Sequence, residues 1–425
     1  MLGSMLHRAA ISDAGDGSTL SLDFTTGVLD SRLTFTRSTT GTYINSSGYV
    51  TSAAINTPRF DYDPTTTPPT PRGLLIEGSA SNLCEQGQFC WSAGATNTWN
   101  RSGEIHVNSV IGTSGTSAVA RIDGPDGGSL TGTSIFKQAG QSTFVRLNIA
   151  VAVAPVQTYT FSAYVRAPSG GNNFMRLAAF DSTWLNTTGF TSASGITITN
   201  TAGNGTRFSG VPSDRWVRVW VTFTTQAAQS SAVIAFYPDT DTQSAATMYV
   251  WGAQVELGSG PSSLIPTGAS PGNRAADDCL IDNISTAFGF NQSEGTILIK
   301  YGNRAATGSM RSYTFLPASG AANQMFESSG VALNVYSSGS FTAQIGFANA
   351  SAARICAAYK VDDFAVSVNG GVVSTDTSGA VASSLTRVSI GGSIVNSAAY
   401  NFGPISFFKY WPTRLPNATL QSLTT

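Results

Sequence analysis

From Trp216 to Phe223 the chain alternates with a period of two. Val217, Val219, Val221 and Phe223 fall on one face, and Trp216, Arg218, Trp220 and Thr222 on the other. Successive side chains of an extended strand point to opposite faces, so this pattern fits a strand with one apolar surface and fits no helix. The same period runs from Thr158 to Val165 and from Gly295 to Tyr301, and the runs are bounded by Gly, Asn, Ser and Pro clusters. Such punctuation predicts an all-β chain of antiparallel sandwiches rather than a βαβ fold. One short helix is predicted, Asn417 to Leu423, with Asn417 as its cap after the strand Ile405 to Tyr410. No period of roughly 20 to 50 residues recurs, which argues against a β-helix or a propeller.

The chain has 425 residues, 41% of them apolar, and single cores stop growing near roughly 250 residues. More than one domain is therefore expected. The run Pro64-Thr65-Thr66-Thr67-Pro68-Pro69-Thr70-Pro71 reads as a stiff extended linker, because proline fixes φ. A second composition shift lies between Gly258 and Gly272. These breaks predict an N-terminal attachment region of short strands at 1–79, a sandwich at 80–270 and a second sandwich at 285–425.

Charged residues make up only 11% of the chain and the net charge is −1, against roughly 25% charged residues in typical soluble proteins. The surface must be largely hydroxyl, amide and backbone, as in many extracellular β proteins. Without basic clusters there is no footprint for nucleic acid. No apolar run reaches the ~18 residues of a span, so no membrane insertion is expected. The first residues lack the apolar core of a signal peptide, so a protein acting outside a cell would leave by lysis. Cys84, Cys90, Cys279 and Cys356 match no zinc spacing. Cys84 and Cys90 are either bridged in an oxidising medium or buried as thiols.

Catalytic signatures are missing. Only His7 and His106 are present, no HExxH or Gly-x-Ser-x-Gly occurs, and His106 in Glu104-Ile105-His106-Val107 reads as a strand residue. Glu77, Glu104, Glu256, Asp181, Asp239 and Asp241 supply carboxylates, but none stands in a pattern that demands the paired acid and base of a glycosidase. No catalytic residue and no required cofactor are therefore assigned. Asp239 and Asp241, in Tyr237-Pro238-Asp239-Thr240-Asp241-Thr242, offer alternating oxygen ligands for a structural calcium ion, or else form a plain exposed turn. Sugar binding needs aromatic platforms, since the apolar face of a pyranose stacks on a ring. Trp91, Trp99 and Trp184 fall in loops beside Asn97, Asn100, Arg101, Asp181 and Asn186 and are the main glycan-binding candidates. Trp216 and Trp220 share the strand face opposite the valines. They form a stacking strip if that face is open, and pack on a neighbouring sheet or subunit if it is covered. Trp411 closes a strand and is expected to plug a core.

Three segments resemble one architecture found in structural proteins of tailed bacteriophages. The first comprises Leu22-Asp23-Phe24, Leu33-Thr34-Phe35-Thr36-Arg37-Ser38, Pro58-Arg59-Phe60-Asp61-Tyr62-Asp63 and Arg72-Gly73-Leu74-Leu75-Ile76-Glu77. The second ends in Trp251-Gly252-Ala253-Gln254-Val255-Glu256, followed by Arg274-Ala275-Ala276-Asp277, and resembles the closing strand of a carbohydrate-binding jelly roll. The third, from Gly295 through Val366-Ser367-Val368-Asn369-Gly370 to Leu423, resembles a concanavalin A-like (laminin-G-type) lectin sandwich. In the loop after the Glu256 strand of the second segment, Leu264 stands where the phage proteins that the chain resembles commonly have Tyr.

The resemblance implies a virion protein: a tail fibre, spike, collar or head fibre, docked to other virion proteins through its N-terminal region. It also implies a homotrimer, and glycan-binding surfaces for host surface polysaccharide. A decoration protein without sugar binding and a polysaccharide-degrading tailspike are the alternatives. Glu77 and Glu256 stand at corresponding ends of the family segments, which marks them as structural hydrogen-bond acceptors or partners of Arg72 or Arg274.

Overall fold

The computed structural model describes residues 15–84, 105–107, 118–129, 131–137, 147–171, 174–180, 186–191, 197–200, 206–238, 245–267, 270–302, 310–320, 322–328, 332–347, 353–392 and 400–425. Among these residues the chain is nearly all β, in antiparallel sheets, as its alternation predicts.

The middle of the chain forms two six-stranded sheets. One runs in the order Asn186–Thr191, Val217–Thr224, Thr158–Arg166, Ala246–Leu257, Gly132–Lys137, Ala118–Ile122. The other runs Thr197–Asn200, Thr206–Ser209, Met175–Phe180, Ser231–Tyr237, Leu147–Ala152, Ile105–Val107. Val217, Val219, Val221 and Phe223 point into the core with Phe161, Val165, Leu177, Ile234 and Phe236. His106 is a strand residue, opposite Asn148.

A bulge in the strand Ala246–Leu257 sets the geometry of everything outside this core. Ser162 pairs with Gln254 and Tyr164 with Trp251, so Gly252 and Ala253 oppose Ala163 alone. Gly252 takes φ 62°, the left-handed region open to glycine. The extra residue shifts the alternation. Val250, Ala253 and Val255 face the core, while Trp251 packs outside it with Ile44, Val50 and Leu264.

The second sandwich is larger and draws on both ends of the chain. Its eight-stranded sheet runs Ser374–Asp376, Phe364–Val368, Ala353–Lys360, Glu294–Tyr301, Gly403–Trp411, Thr70–Ile76, Phe60–Asp63, with Leu20–Asp23 also pairing Gly403–Trp411. The facing seven-stranded sheet runs Thr34–Thr36, Asp278–Asp282, Arg387–Ile390, Arg311–Leu316, Gln324–Ser328, Ala332–Ser337, Ser340–Gly346. Between them Phe290, Phe315, Tyr359, Phe408 and Tyr410 stack in one aromatic core.

A separate N-terminal region at 1–79 is therefore not what the sheets form. Leu20, Leu22 and Phe24 present an alternating apolar face that completes the core of the larger sandwich, and Phe35, Leu74 and Ile76 join it. The proline-rich run is no linker. It closes the hairpin between Phe60–Asp63 and Thr70–Ile76. The middle sandwich is instead an insertion: Ala80–Asn82 leads in and pairs with Gly272–Arg274, which leads out.

The C-terminal helix spans Asn417–Thr424 and sets Leu420 on Leu298, Cys356, Ala365 and Trp411, on the outer side of the eight-stranded sheet. Asn417 is its first residue and not its cap. Pro416 holds the cap position, and its carbonyl accepts from the Leu420 N–H (3.1 Å). Trp411 plugs this outer layer and donates to the Asp16 carbonyl (3.0 Å).

Candidate functional site

Where the middle sandwich enters and leaves the larger one, five charged side chains are buried together. Arg37 Nη1 donates to Asp277 Oδ1 (3.1 Å) across 240 positions of sequence, and its other N–H groups go to the carbonyls of Thr39 (2.8 Å) and Ala54 (2.7 Å). Arg59 pairs with Glu77 (2.8 Å) and with the other oxygen of Asp277, and it donates to the Thr42 carbonyl (2.8 Å). Arg274 pairs with Glu77 at 3.0 Å and donates to the Gly78 carbonyl. The backbones of Glu77 and Asp277 close the knot: the Glu77 N–H donates to Asp277 Oδ2 (2.9 Å), and the Asp277 N–H to the Glu77 carbonyl (2.9 Å).

The loop after the bulged strand docks into this knot through two serines. The Ser263 N–H and hydroxyl donate to Glu77 (2.7 and 2.6 Å). The Ser262 N–H and hydroxyl donate to Glu256 (2.8 and 2.6 Å), which also accepts from the Gln254 amide (2.6 Å). Asn82 staples the entry strand to the exit. Its amide donates to the Ile265 carbonyl (3.0 Å), and its oxygen accepts from the N–H groups of Val255 (3.1 Å) and Cys84 (3.0 Å).

Burial would raise the pKa of Glu77, but Arg274 and Arg59, with the Ser263 bonds, outweigh it and hold the carboxyl at about 2. Burial wins at Glu256, whose pKa is raised against the pull of Arg218 and its neutral donors. Burial also raises Asp61, which accepts from the Ile44 N–H (2.8 Å). Glu77 and Glu256 are 3% and 2% exposed, so both carboxylates are committed to the joint. Glu77 pairs with Arg274 as expected. Arg72 instead pairs with Asp61 (3.5 Å) and Asp63 (3.2 Å).

Of the sequence-based site residues, Trp91, Trp99, Trp184, Asp239 and Asp241 lie outside the described residues, as do Glu104, Asp181 and Cys90. Among the described residues no group of three or more His, Cys, Asp and Glu is arranged to hold a metal. Trp216 and Trp220 are half-buried on the outer face of the first sheet. That face is covered in part: Trp216 packs against the cluster that Trp251 of the bulged strand forms with Ile44 and Val50 of the N-terminal hairpin and Leu264 of the exit loop. Its ring carries the Arg166 guanidinium at 5.1 Å, so Trp216 belongs to the rim of the joint and not to an open two-tryptophan strip. Arg166 is a residue that sequence reasoning missed. Its signal was faint, a single arginine ending the strand Thr158–Arg166. Cys84, Cys279 and Cys356 are buried, and burial pushes the Cys356 thiol up to about 12.

No protein-family model matches the chain, and no curated protein is detectably similar to it in sequence. Among solved structures, the chain is similar to the CBM40 of the Ruminococcus gnavus IT-sialidase bound to alpha2,3 sialyllactose, at 14% identity and TM-score 0.29, over 34% of this chain and 91% of that one. The Trypanosoma rangeli sialidase in complex with the inhibitor DANA is similar at 7% identity and TM-score 0.28, over 34% of this chain and 25% of that one. The CBM22-1-CBM22-2 tandem of Paenibacillus barcinonensis Xyn10C is similar over 79% of this chain and 98% of that one, at 10% identity and TM-score 0.21. Scores at this level assign neither a family nor a ligand.

Proposed function

We propose that the chain is a non-enzymatic structural subunit of a bacteriophage virion, presenting glycan-binding surfaces on two β-sandwiches for attachment to a host. The joint carries this reading. Arg37, Arg59, Glu77, Glu256, Arg274 and Asp277 stand in the separate segments whose order resembles phage structural proteins. These segments converge in one buried network. A pattern spread over 240 positions that closes into one physical unit supports the resemblance far better than any single motif does. The joint fastens the inserted sandwich to the larger one, and a fastened surface suits adhesion because it loses less freedom on binding.

The non-enzymatic reading is supported by Glu77 and Glu256, whose oxygens are buried and engaged by arginine, serine and amide donors. In this reading the larger sandwich is the concanavalin A-like lectin module and the assembly is a homotrimer. The virion is the protein's location in this reading.

The test is a glycan array, with host-type surface polysaccharides included, probed with the purified chain with and without a calcium chelator. Saturable binding without release of new reducing ends supports the reading. Release of reducing ends makes the chain a depolymerising tailspike. Absence of all glycan binding, with antibody to the chain decorating virions in electron micrographs, makes it a decoration protein.

A further inference from the structure

At the rim of the joint, Arg166 stands in a setting unlike that of its neighbours. It ends the strand Thr158–Arg166, and the strands on either side send rings to it: Trp216, just before Val217–Thr224, at 5.1 Å and Tyr249, from Ala246–Leu257, at 5.2 Å. Arg218, on the same face, also lies over an aromatic ring, that of Tyr164, and its Nε has no hydrogen-bond acceptor, like that of Arg166, but its two Nη groups donate to the Ser262 carbonyl and the Ser162 hydroxyl. Arg215, next in sequence to Trp216, pairs with Asp214 (3.2 Å). Arg166 has the rings alone. Among the described residues it has no carboxylate partner, and its buried Nε has no hydrogen-bond acceptor. All three side chains are half-buried, so the slot reaches solvent.

A guanidinium flanked by rings is held in place by cation–π attraction, which leaves its terminal N–H edge for a hydrogen-bond partner. Such an edge matches a planar carboxylate, which can take two parallel hydrogen bonds. A sugar ring needs an apolar platform beside its polar anchor, and the half-buried rings of Trp216 and Tyr249 stand beside Arg166.

We propose that Arg166, clamped between Trp216 and Tyr249, is the anchor of a binding site for a carboxylate-bearing sugar, a uronate-type unit of an acidic glycan. The inference rests on the reading of the chain as a glycan-binding protein and names the class of glycan and the place. The site lies where the inserted sandwich meets the N-terminal hairpin.

The experiment compares the full chain with Arg166→Gln on an array of uronate-containing oligosaccharides, their methyl esters and neutral oligosaccharides. The expected result is binding of the free acids by the unaltered chain, weak binding of the esters, and a loss of about tenfold or more in R166Q, the size of a lost charge-assisted hydrogen-bond pair. Thermal unfolding of R166Q near that of the unaltered chain shows that the loss is local. Should R166Q not fold, Arg166→Lys keeps the cation and removes the planar fork, and it is expected to weaken the acids while leaving the esters unchanged. Equal binding of acids and esters, or a folded R166Q that binds as the unaltered chain does, overturns the site and leaves glycan binding by another surface intact. Binding of no oligosaccharide at all overturns both.

Discussion

Two buried glutamates, serving adjacent serines of one loop, mark two halves of the joint that solve the same problem differently. Around Glu77 the solution is ionic: Arg59 and Arg274 contact it, Asp277 ties in Arg37, and the carboxyl is held ionised down to about pH 2. Around Glu256 the contacts are Gln254 and Ser262, with the charge of Arg218 acting on it, and burial raises its pKa. Each carboxylate accepts from the N–H and the hydroxyl of one serine, so the bonds to the loop alone would rank them equal. The difference lies in what each removal leaves behind: two desolvated arginines in one case, neutral donors in the other.

The largest expected effect follows directly. Glu77→Gln leaves Arg59 and Arg274 buried with too little counter-charge and should cost about 3–5 kcal/mol in denaturant unfolding. Asp277→Asn, which strips Arg37 and Arg59 together, should fall in the same range. Equal, small losses for E77Q and a matching Glu256 variant would break the comparison.

Acid sharpens it, with opposite signs. Glu77 is depressed from 4.5 to about 2, so its stabilisation is complete above the unfolded value near 4.5 and is lost as pH falls through 2. This amounts to on the order of 3 kcal/mol by linkage. Glu256 is raised, so it contributes stability below pH 4.5 that disappears as pH rises through its folded value. Unfolding midpoints measured from pH 2 to 7 should fall steeply on the acid side, and E77Q should flatten that limb.

Strand character was legible in the sequence because a half-buried strand writes its burial as alternation, as at Val217, Val219, Val221 and Phe223. Strand partnership was not. Leu20, Leu22 and Phe24 show that their segment has an apolar face, but not that the face closes a core by pairing with Gly403–Trp411, at the far end of the chain. Proline composition at Pro64 to Pro71 reads alike for a linker and for a hairpin turn. The pairing of Glu77 with Arg274 was within reach because both stand in recognisable segments. Arg166 was out of reach because its meaning comes from rings on two other strands.

The bulge that creates the polar half of the joint is open to a smaller test. Gly252→Ala places a Cβ at φ 62°, about 3.3 Å from Leu264, and should cost about 1–2 kcal/mol. Because Gly252 sets which side chains of Trp251 to Glu256 face outward, the loss should come with weaker docking of the 258–267 loop, visible as faster amide exchange at Ile265. Unchanged exchange there would mean that Asn82 and Gln254 hold the loop without help from the bulge.

The smallest effect is the most discriminating. Glu256→Gln keeps the shape of the side chain. Its carbonyl still accepts from the Ser262 N–H and the Gln254 amide, and its new amide donates to the Ser262 hydroxyl that donated before. What disappears is a buried charge that burial already disfavours, together with its attraction to Arg218. These two changes oppose each other, so stability at pH 7 should lie within about 1 kcal/mol of the unaltered chain, and replacement of a buried charge by a neutral group of like size often lands there. The pH profile decides the point. If E256Q removes the decline in stability above pH 4.5 while E77Q removes the acid-side loss, the loop rests on ionic pairing through one serine and on neutral hydrogen bonds through the other. A loss of several kcal/mol in E256Q would instead make Arg218 a full ionic partner and the two halves of the joint alike.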